Sequence, residues 1–176
     1  MICYREIKLE ELNLDLYKSF IRRQIVNKCW RKEEGEWVIK QASFIDDWSE
    51  KDYKVLVKCL KNTLLTGGLV YGAFINDELK GFVSVEGELI GSRKQYMDLS
   101  SIHISEDVRG QGIGKELFFR AKKFAKERGA AKLYISSHSA VESQAFYKAV
   151  GCVEAEEYNA RHVEIEPYDC QLECKL

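Results

Sequence analysis

Residues 108–118 of the 176-residue chain read VRGQGIGKELF, which sets Gly110, Gly112, Gly114 and Lys115 at the start of an amphipathic run. Glycine lets a backbone come close to a ligand, and a helix starting near Ile113 offers unpaired N–H groups at the positive end of its dipole. An anion, and phosphate above all, suits that arrangement. The plainer alternative is a tight strand-to-helix turn, for which one glycine usually suffices. Two nucleotide patterns fail residue by residue. A P-loop fits Gly114-Lys115 at its middle, but Arg109 stands where its first glycine belongs and Glu116 where its magnesium-binding hydroxyl belongs. The dinucleotide pattern G-x-G-x-x-G finds Lys115 at its last glycine, and it belongs after a first strand, whereas several strands precede this loop. Further along, Ala140, Ser143 and Tyr147 have the spacing of one helix face. Tyr147 carries a phenol whose ordinary pKa of about 10 keeps it protonated at neutral pH.

The segments that must position these residues alternate between period-2 and period-3.6 hydrophobic patterns, as in a mixed α/β domain. ICYREIKL reads as a first strand. Tyr17, Phe20, Ile21, Gln24 and Ile25 make the stripe of a first helix, and NKCWRKEEGEWVIKQASFIDDW after it is less regular. A second helix begins at Ser49 with Asp52 as its capping partner, carries Tyr53, Leu56, Val57, Leu60 and Leu64, and stops near Gly67-Gly68. LVYGAFI and LKGFVSVE flank the turn signal Asn76-Asp77, an antiparallel hairpin, and YMDLSSIHI is a further strand. From Ile113 a helix sets Leu117, Ala121, Phe124 and Ala125 on one face and ends at Gly129. AKLYISS is then a strand, SAVESQAFYKAVG a short helix, and CVEAEEY with DCQLECKL a last strand pair. The expected order is β-α-α-β-β-β-α-β-α-β-β.

One proline and no Pro/Ser/Gly-rich linker leave a single domain over residues 1–176, and apolar residues at 45% can fill its core. A formal net charge of −1 gives no electrostatic reason to expect nucleic acid or an anionic membrane as partner. No apolar run approaches the roughly 18 residues of a membrane span, and MICYREIKLE lacks the regions of a signal peptide, so a cytoplasmic protein is expected. Cys3, Cys29, Cys59, Cys152, Cys170 and Cys174 form no C-x-x-C pair and read as reduced, core-filling thiols. No metal is implied.

RGQGIG, Arg109 to Gly114, is Arg/Gln-x-x-Gly-x-Gly/Ala, and it resembles the signature of the GNAT superfamily of acyl-CoA N-acyltransferases. IHI five residues upstream, the helix that follows the loop, and AFYKAVGC, which looks like that family's aromatic-Tyr-x-x-x-Gly segment, extend the likeness. Its specific part runs over about residues 96–152, and the element order matches throughout. The resemblance implies an α/β (α+β) fold: a mostly antiparallel sheet of six to seven strands with splayed central strands, flanked by about four helices. It also implies an N-acetyltransferase with acetyl-CoA as cosubstrate.

On that resemblance the backbone of Ile102, His103 and Ile104 holds the pantetheine arm. Arg109, Gly110, Gln111, Gly112, Ile113, Gly114 and Lys115 cradle the pyrophosphate, and the Ile104 N–H faces the oxyanion. Tyr147 donates a proton to the departing thiolate, while Ser143 offers a pantetheine contact because Ala140 stands where an asparagine is common. The general base is carried over to Asp98, eleven residues before Arg109, acting through a water, with Glu86 as second candidate; Asp98 is equally readable as an idle edge carboxylate. Peptide N-terminal members can use a glutamate where this chain has Ile135, which counts against that subclass. His103 and His138 read as structural. The acceptor site is expected within residues 24–53 and 157–168, which hold Trp30, Trp37, Phe44, Asp46, Asp47, Trp48 and Tyr53, then Tyr158, His162, Glu164 and Glu166. Aromatics with carboxylates suit a small cationic amine; a packed subdomain with a solvated acidic face is the alternative. A homodimer is compatible with the resemblance, and a non-catalytic acyl-CoA sensor or a protein N-acetyltransferase are the rival functions.

Overall fold

The two periodicities resolve into nine strands and four helices in the computed structural model, which describes residues 1–176. In chain order these are β1 (Ile2–Glu6), β2 (Arg23–Glu33), β3 (Glu36–Asp47), α1 (Glu50–Leu65), β4 (Leu69–Ile75), β5 (Glu78–Ile90) and β6 (Tyr96–Ile104). α2 (Ile113–Glu127), β7 (Lys132–Ser137), α3 (Val141–Ala149), β8 (Val153–Glu154), α4 (Ala160–Ile165) and β9 (Cys170–Lys175) follow. Seven strands form one sheet in the order β1-β4-β5-β6-β7-β9-β8, while β2 and β3 make a separate two-stranded ribbon. Every pairing in the large sheet is antiparallel except β6 with β7.

Alternation along the strands splits the core into two layers. Ala73, Val83, Val85, Met97 and Leu99 pack with Ile113, Leu117, Phe118 and Ala121 of α2 and with Tyr147 of α3. Val70, Phe74 and Phe82 turn the other way, onto Leu56 and Leu60 of α1. Each large apolar side chain so covered contributes about 1.5–3 kcal/mol. All six cysteines are free thiols, four of them buried, and no helix is long and apolar enough to cross a membrane.

The Ser49 start of α1 is a reciprocal cap: the Asp52 carboxylate accepts the Ser49 N–H at 2.7 Å and its hydroxyl at 2.8 Å. Ser49→Ala should lower stability by about 1 kcal/mol, a fall of about 2–4 °C in the midpoint of a thermal melt.

Two expectations are corrected. The helix over Tyr17–Ile25 is absent: Asn13 caps only a short 3-10 turn, Leu14–Tyr17, and the chain then enters β2. The irregular stretch is its hairpin with β3, turned at Glu34 and Gly35, whose φ values are 50° and 86°. A bulge between Val26 and Lys28 hides the strand, because it brings Val26 and Cys29, three residues apart, into one buried cluster and breaks the period of two. CVEAEEY likewise yields only the two residues of β8. The next turn goes to α4, where the Asn159 side chain accepts the His162 N–H at 3.1 Å as an N-cap.

Candidate functional site

β6 and β7 are partners only at Tyr96–Lys132, Met97–Leu133 and Asp98–Tyr134, and beyond Asp98 they part. What faces the gap follows from the ladder on the other edge of β6. The Ser105 N–H donates to the Lys80 carbonyl at 2.8 Å, in register with the Phe82–His103 and Gly81–Ile104 pairs. Antiparallel pairs alternate between bonded and non-bonded, so Ile102 and Ile104 direct their N–H and C=O groups away from β5, into the gap. His103 departs from the expectation here: its backbone groups are spent on Phe82, leaving its neighbours as the two residues able to bond a ligand strand.

A cavity of about 750 Å³ fills the opening, walled by Leu99 to Ile104 of β6, Ile135 to His138 around the end of β7, and Ser143, Phe146 and Tyr147 of α3. The glycine turn closes its wide end. Gly110 and Gly112 take φ of 79° and 82°, a conformation that strains any residue with a Cβ. At Gly114 a Cβ would lie 3.0 Å from the Phe146 ring, so the start of α2 sits directly on α3. None of the six amide N–H groups from Gly110 to Lys115 has a hydrogen-bond partner in the protein. Arg109, Gly110, Gly112, Ile113, Gly114 and Lys115 line the cavity, whereas the exposed Gln111 stands outside it. The Arg109 guanidinium turns back, donating to the Arg23 carbonyl at 2.6 Å and the Ile104 carbonyl at 3.3 Å.

Tyr147 lies at the wall and is 9% exposed. Burial, and then the neighbouring Cys152 thiol, raise its phenol well above the ordinary value, with the Ser137 hydroxyl pulling the other way. The Ser143 hydroxyl accepts from the Gln24 side chain at 3.4 Å. Ala140 pairs with Cys29, and the Trp30 N–H donates to the Ser139 carbonyl at 2.8 Å. The Ile21 N–H meanwhile bonds the Ser105 hydroxyl at 2.9 Å, so the chain from Ile21 to Trp30 bridges the gap's wide end. In place of the expected first helix, this strand roofs the cavity.

The acidic candidates face the α1 side of the sheet. Asp98 is 8% exposed, binds His162 Nε2 through Oδ2 at 2.7 Å, and leaves Oδ1 buried without a partner. It flanks the inner end of the cavity without entering its wall. The Glu86 carboxylate accepts from Thr63 at 2.8 Å and from Ser100 at 2.6 Å. His103 Nδ1 accepts from the Arg22 guanidinium at 3.1 Å, with its ring 4.7 Å from that of Trp48. Burial and then Arg22 and Arg109 push its pKa down to about 3, so it stays neutral. His138 Nδ1 accepts the Ala140 N–H at 3.1 Å and fixes the start of α3.

The expected acceptor residues divide. Asp46, Trp48 and Tyr53 gather around Arg22 beside the cavity. Trp37 and Tyr158 bond Glu154 instead, and Glu164 and Glu166 are exposed. Arg22 and Asp169, with Asp169 accepting from Ser136 at 3.1 Å, are polar groups the sequence does not mark for chemistry, and His162, expected in the acceptor site, instead binds Asp98. Nothing in the His162–Glu166 stretch of the sequence points to Asp98 as its partner.

No curated protein matches the sequence. Among solved structures, a Bacillus anthracis protein assigned as a streptothricin acetyltransferase, in complex with acetyl coenzyme A, superposes with a TM-score of 0.74 at 17% identity, over 100% of this chain and 99% of that one. Nourseothricin acetyltransferase gives 0.70 at 14% identity, over 99% and 98%. PaiA N-acetyltransferase from Thermoplasma acidophilum, in complex with coenzyme A, gives 0.63 at 18% identity, over 100% and 99%. At such identities these likenesses speak for the fold. The family model for the acetyltransferase (GNAT) family matches residues 24–166, from the roofing strand through the glycine turn to α4, and on that match this chain belongs to the GNAT acetyltransferase family.

Proposed function

We propose that this protein transfers an acetyl group from acetyl-CoA to a primary amine of a small molecule. The observation that carries the reading is one continuous run of free backbone donors. The inward-turned amides of Ile102 and Ile104 lead along the gap to the six unpartnered amides of Gly110 to Lys115. The glycine turn, at the positive end of α2, fits a pyrophosphate, each charge-assisted contact contributing about 1.5–3 kcal/mol. Ile102 and Ile104 fit the amide-bearing pantetheine arm as an added strand, with Ser143 at its edge. The two strands meet at Asp98–Tyr134, which puts the thioester near that vertex.

Aminolysis of a thioester needs a neutral amine, a donor for the developing oxyanion and a proton for the leaving sulfur. In this proposal Tyr147 supplies the third, and the second falls to the Ile102 N–H, the free β6 amide nearer the vertex, because the expected Ile104 lies six residues, about 20 Å, along the strand from Asp98. The first needs a base, and the α1 side, where Asp98 and Glu86 lie, is where it is to be sought. Arg22 stands in the wall on that side, with Trp48 and Tyr53 packed against it, which favours a small acceptor, in keeping with neighbours whose names specify streptothricin and nourseothricin. A purified sample given acetyl-CoA and a panel of polyamines, aminoglycosides, amino-acid amines and a basic peptide should release free thiol with at least one small amine. Acetylation of the peptide alone would assign the rival protein-directed function. Tight acetyl-CoA binding without thiol release would assign the sensor.

A further inference from the structure

We infer that His162, oriented by Asp98, is the base that takes the proton from the acceptor amine; the inference rests on the acetyltransferase reading and names a residue for its unassigned step. His162 sits on the face of the vertex that carries Asp98 and Tyr134, just outside the cavity wall. Asp98 and Tyr134 are the last paired residues of β6 and β7, and the cavity wall begins at the very next residues, Leu99 and Ile135. His162 spans both: Nε2 bonds Asp98 at 2.7 Å and the ring stacks on Tyr134, centroids 5.7 Å apart and 18° from parallel. The Tyr134 hydroxyl in turn accepts the Asn159 N–H at 2.8 Å, which pins the start of α4 and hence the ring.

The two partners differ in access. The Asp98 side chain is 12% exposed and its free oxygen is sealed, so it cannot receive a proton from a substrate directly. The His162 side chain is 30% exposed. An ionised carboxylate only accepts, so the Nε2 facing it carries the hydrogen and Nδ1 keeps its lone pair. Nδ1 makes no hydrogen bond in the protein. The division of labour is that of an aspartate–histidine couple: the carboxylate fixes the tautomer and steadies the imidazolium, and the ring moves the proton.

The step balances within the reaction. As the N–C bond forms and the C–S bond breaks, one amine proton passes to His162 Nδ1, and the Tyr147 hydroxyl proton passes to sulfur. Imidazolium and phenolate then return to their starting forms through water. The groups facing His162 are Asp98 from β6, Tyr134 from β7, Asp169 just before β9, and Arg161 from its own helix. The Asp98 hydrogen bond dominates and raises the ring above its ordinary value. A base works when neutral, so kcat should climb with pH through that raised value.

The test is a set of kcat–pH profiles at saturating acetyl-CoA for wild type, His162→Gln and Asp98→Asn, with coenzyme A titrations showing that each variant folds and binds. Expected are a wild-type acid limb above the ordinary histidine value, its loss in His162→Gln with kcat down about 100-fold or more, and its displacement to lower pH in Asp98→Asn. A purely structural His162 would lower the melting temperature and leave the limb in place. A wild-type limb in His162→Gln, or an unmoved limb in Asp98→Asn, overturns the base while leaving the acetyltransferase reading intact. Absence of turnover by wild type with every amine overturns that reading, and the base with it.

Discussion

Tyr147→Phe should lower kcat by about 10²–10⁴-fold, the usual contribution of a positioned general acid, and leave the affinity for acetyl-CoA nearly unchanged. The separation is expected because phenylalanine keeps the ring, which packs among the core residues of α2 and β7 and is only 9% exposed, and removes the hydroxyl alone. The chemistry has a cost to meet. Burial raises the phenol above its ordinary value of 10.0, so the proton is retained throughout the neutral and mildly alkaline range. The same shift makes transfer to a thiolate, of ordinary pKa about 8.5, unfavourable unless the phenolate is stabilised as it forms. Ser137, whose nearby hydroxyl acts to lower the phenol's pKa, is the group in place to do this. In sign, an acid with a raised pKa keeps its activity as pH rises, and the alkaline fall of kcat should lie above pH 10. Pre-steady-state thiol release checks the rate, and coenzyme A titration checks the binding. Unchanged turnover would remove Tyr147 from the mechanism.

The largest effect on binding should come from Gly112→Asp, which is expected to weaken coenzyme A by about 30- to 100-fold, or about 2–3 kcal/mol. Two effects combine. A residue with a Cβ at φ 82° is strained by about 1–2 kcal/mol, and the turn relieves this by rotating its amides off the anion. A carboxylate at the N-cap of α2 also opposes the pyrophosphate. A Cβ at Gly112 meets nothing within 4 Å, so the fold should survive and the loss should be read as binding. Gly112→Ala carries only the first effect, and calorimetry should place it between wild type and Gly112→Asp. Equal affinities for all three proteins would mean that the pyrophosphate lies elsewhere.

Much of this protein was determined locally and could be read in the sequence. The cap at Ser49, the Asn76-Asp77 hairpin and the helix from Ile113 to Gly129 are set by residues a few positions apart, and the structure reproduces them. The glycine turn is of the same kind, because positive φ at Gly110 and Gly112 depends on those residues alone. β2 was not readable: a bulge at Val26/Lys28 imitates helical spacing, and its buried side chains are decided by contact with Ala140, more than a hundred residues away. Asp98 could be located by counting but its surroundings could not. Its partner His162 is 64 residues distant, on a six-residue helix set by its own cap and by the Tyr134 hydroxyl. Only the tertiary structure decided that the splaying begins beyond Asp98 and which backbone groups then face the gap, since backbone direction on β6 is fixed by the ladder to β5. That ladder commits His103 and frees Ile102 and Ile104, a consequence of strand pairing that side-chain identity does not encode.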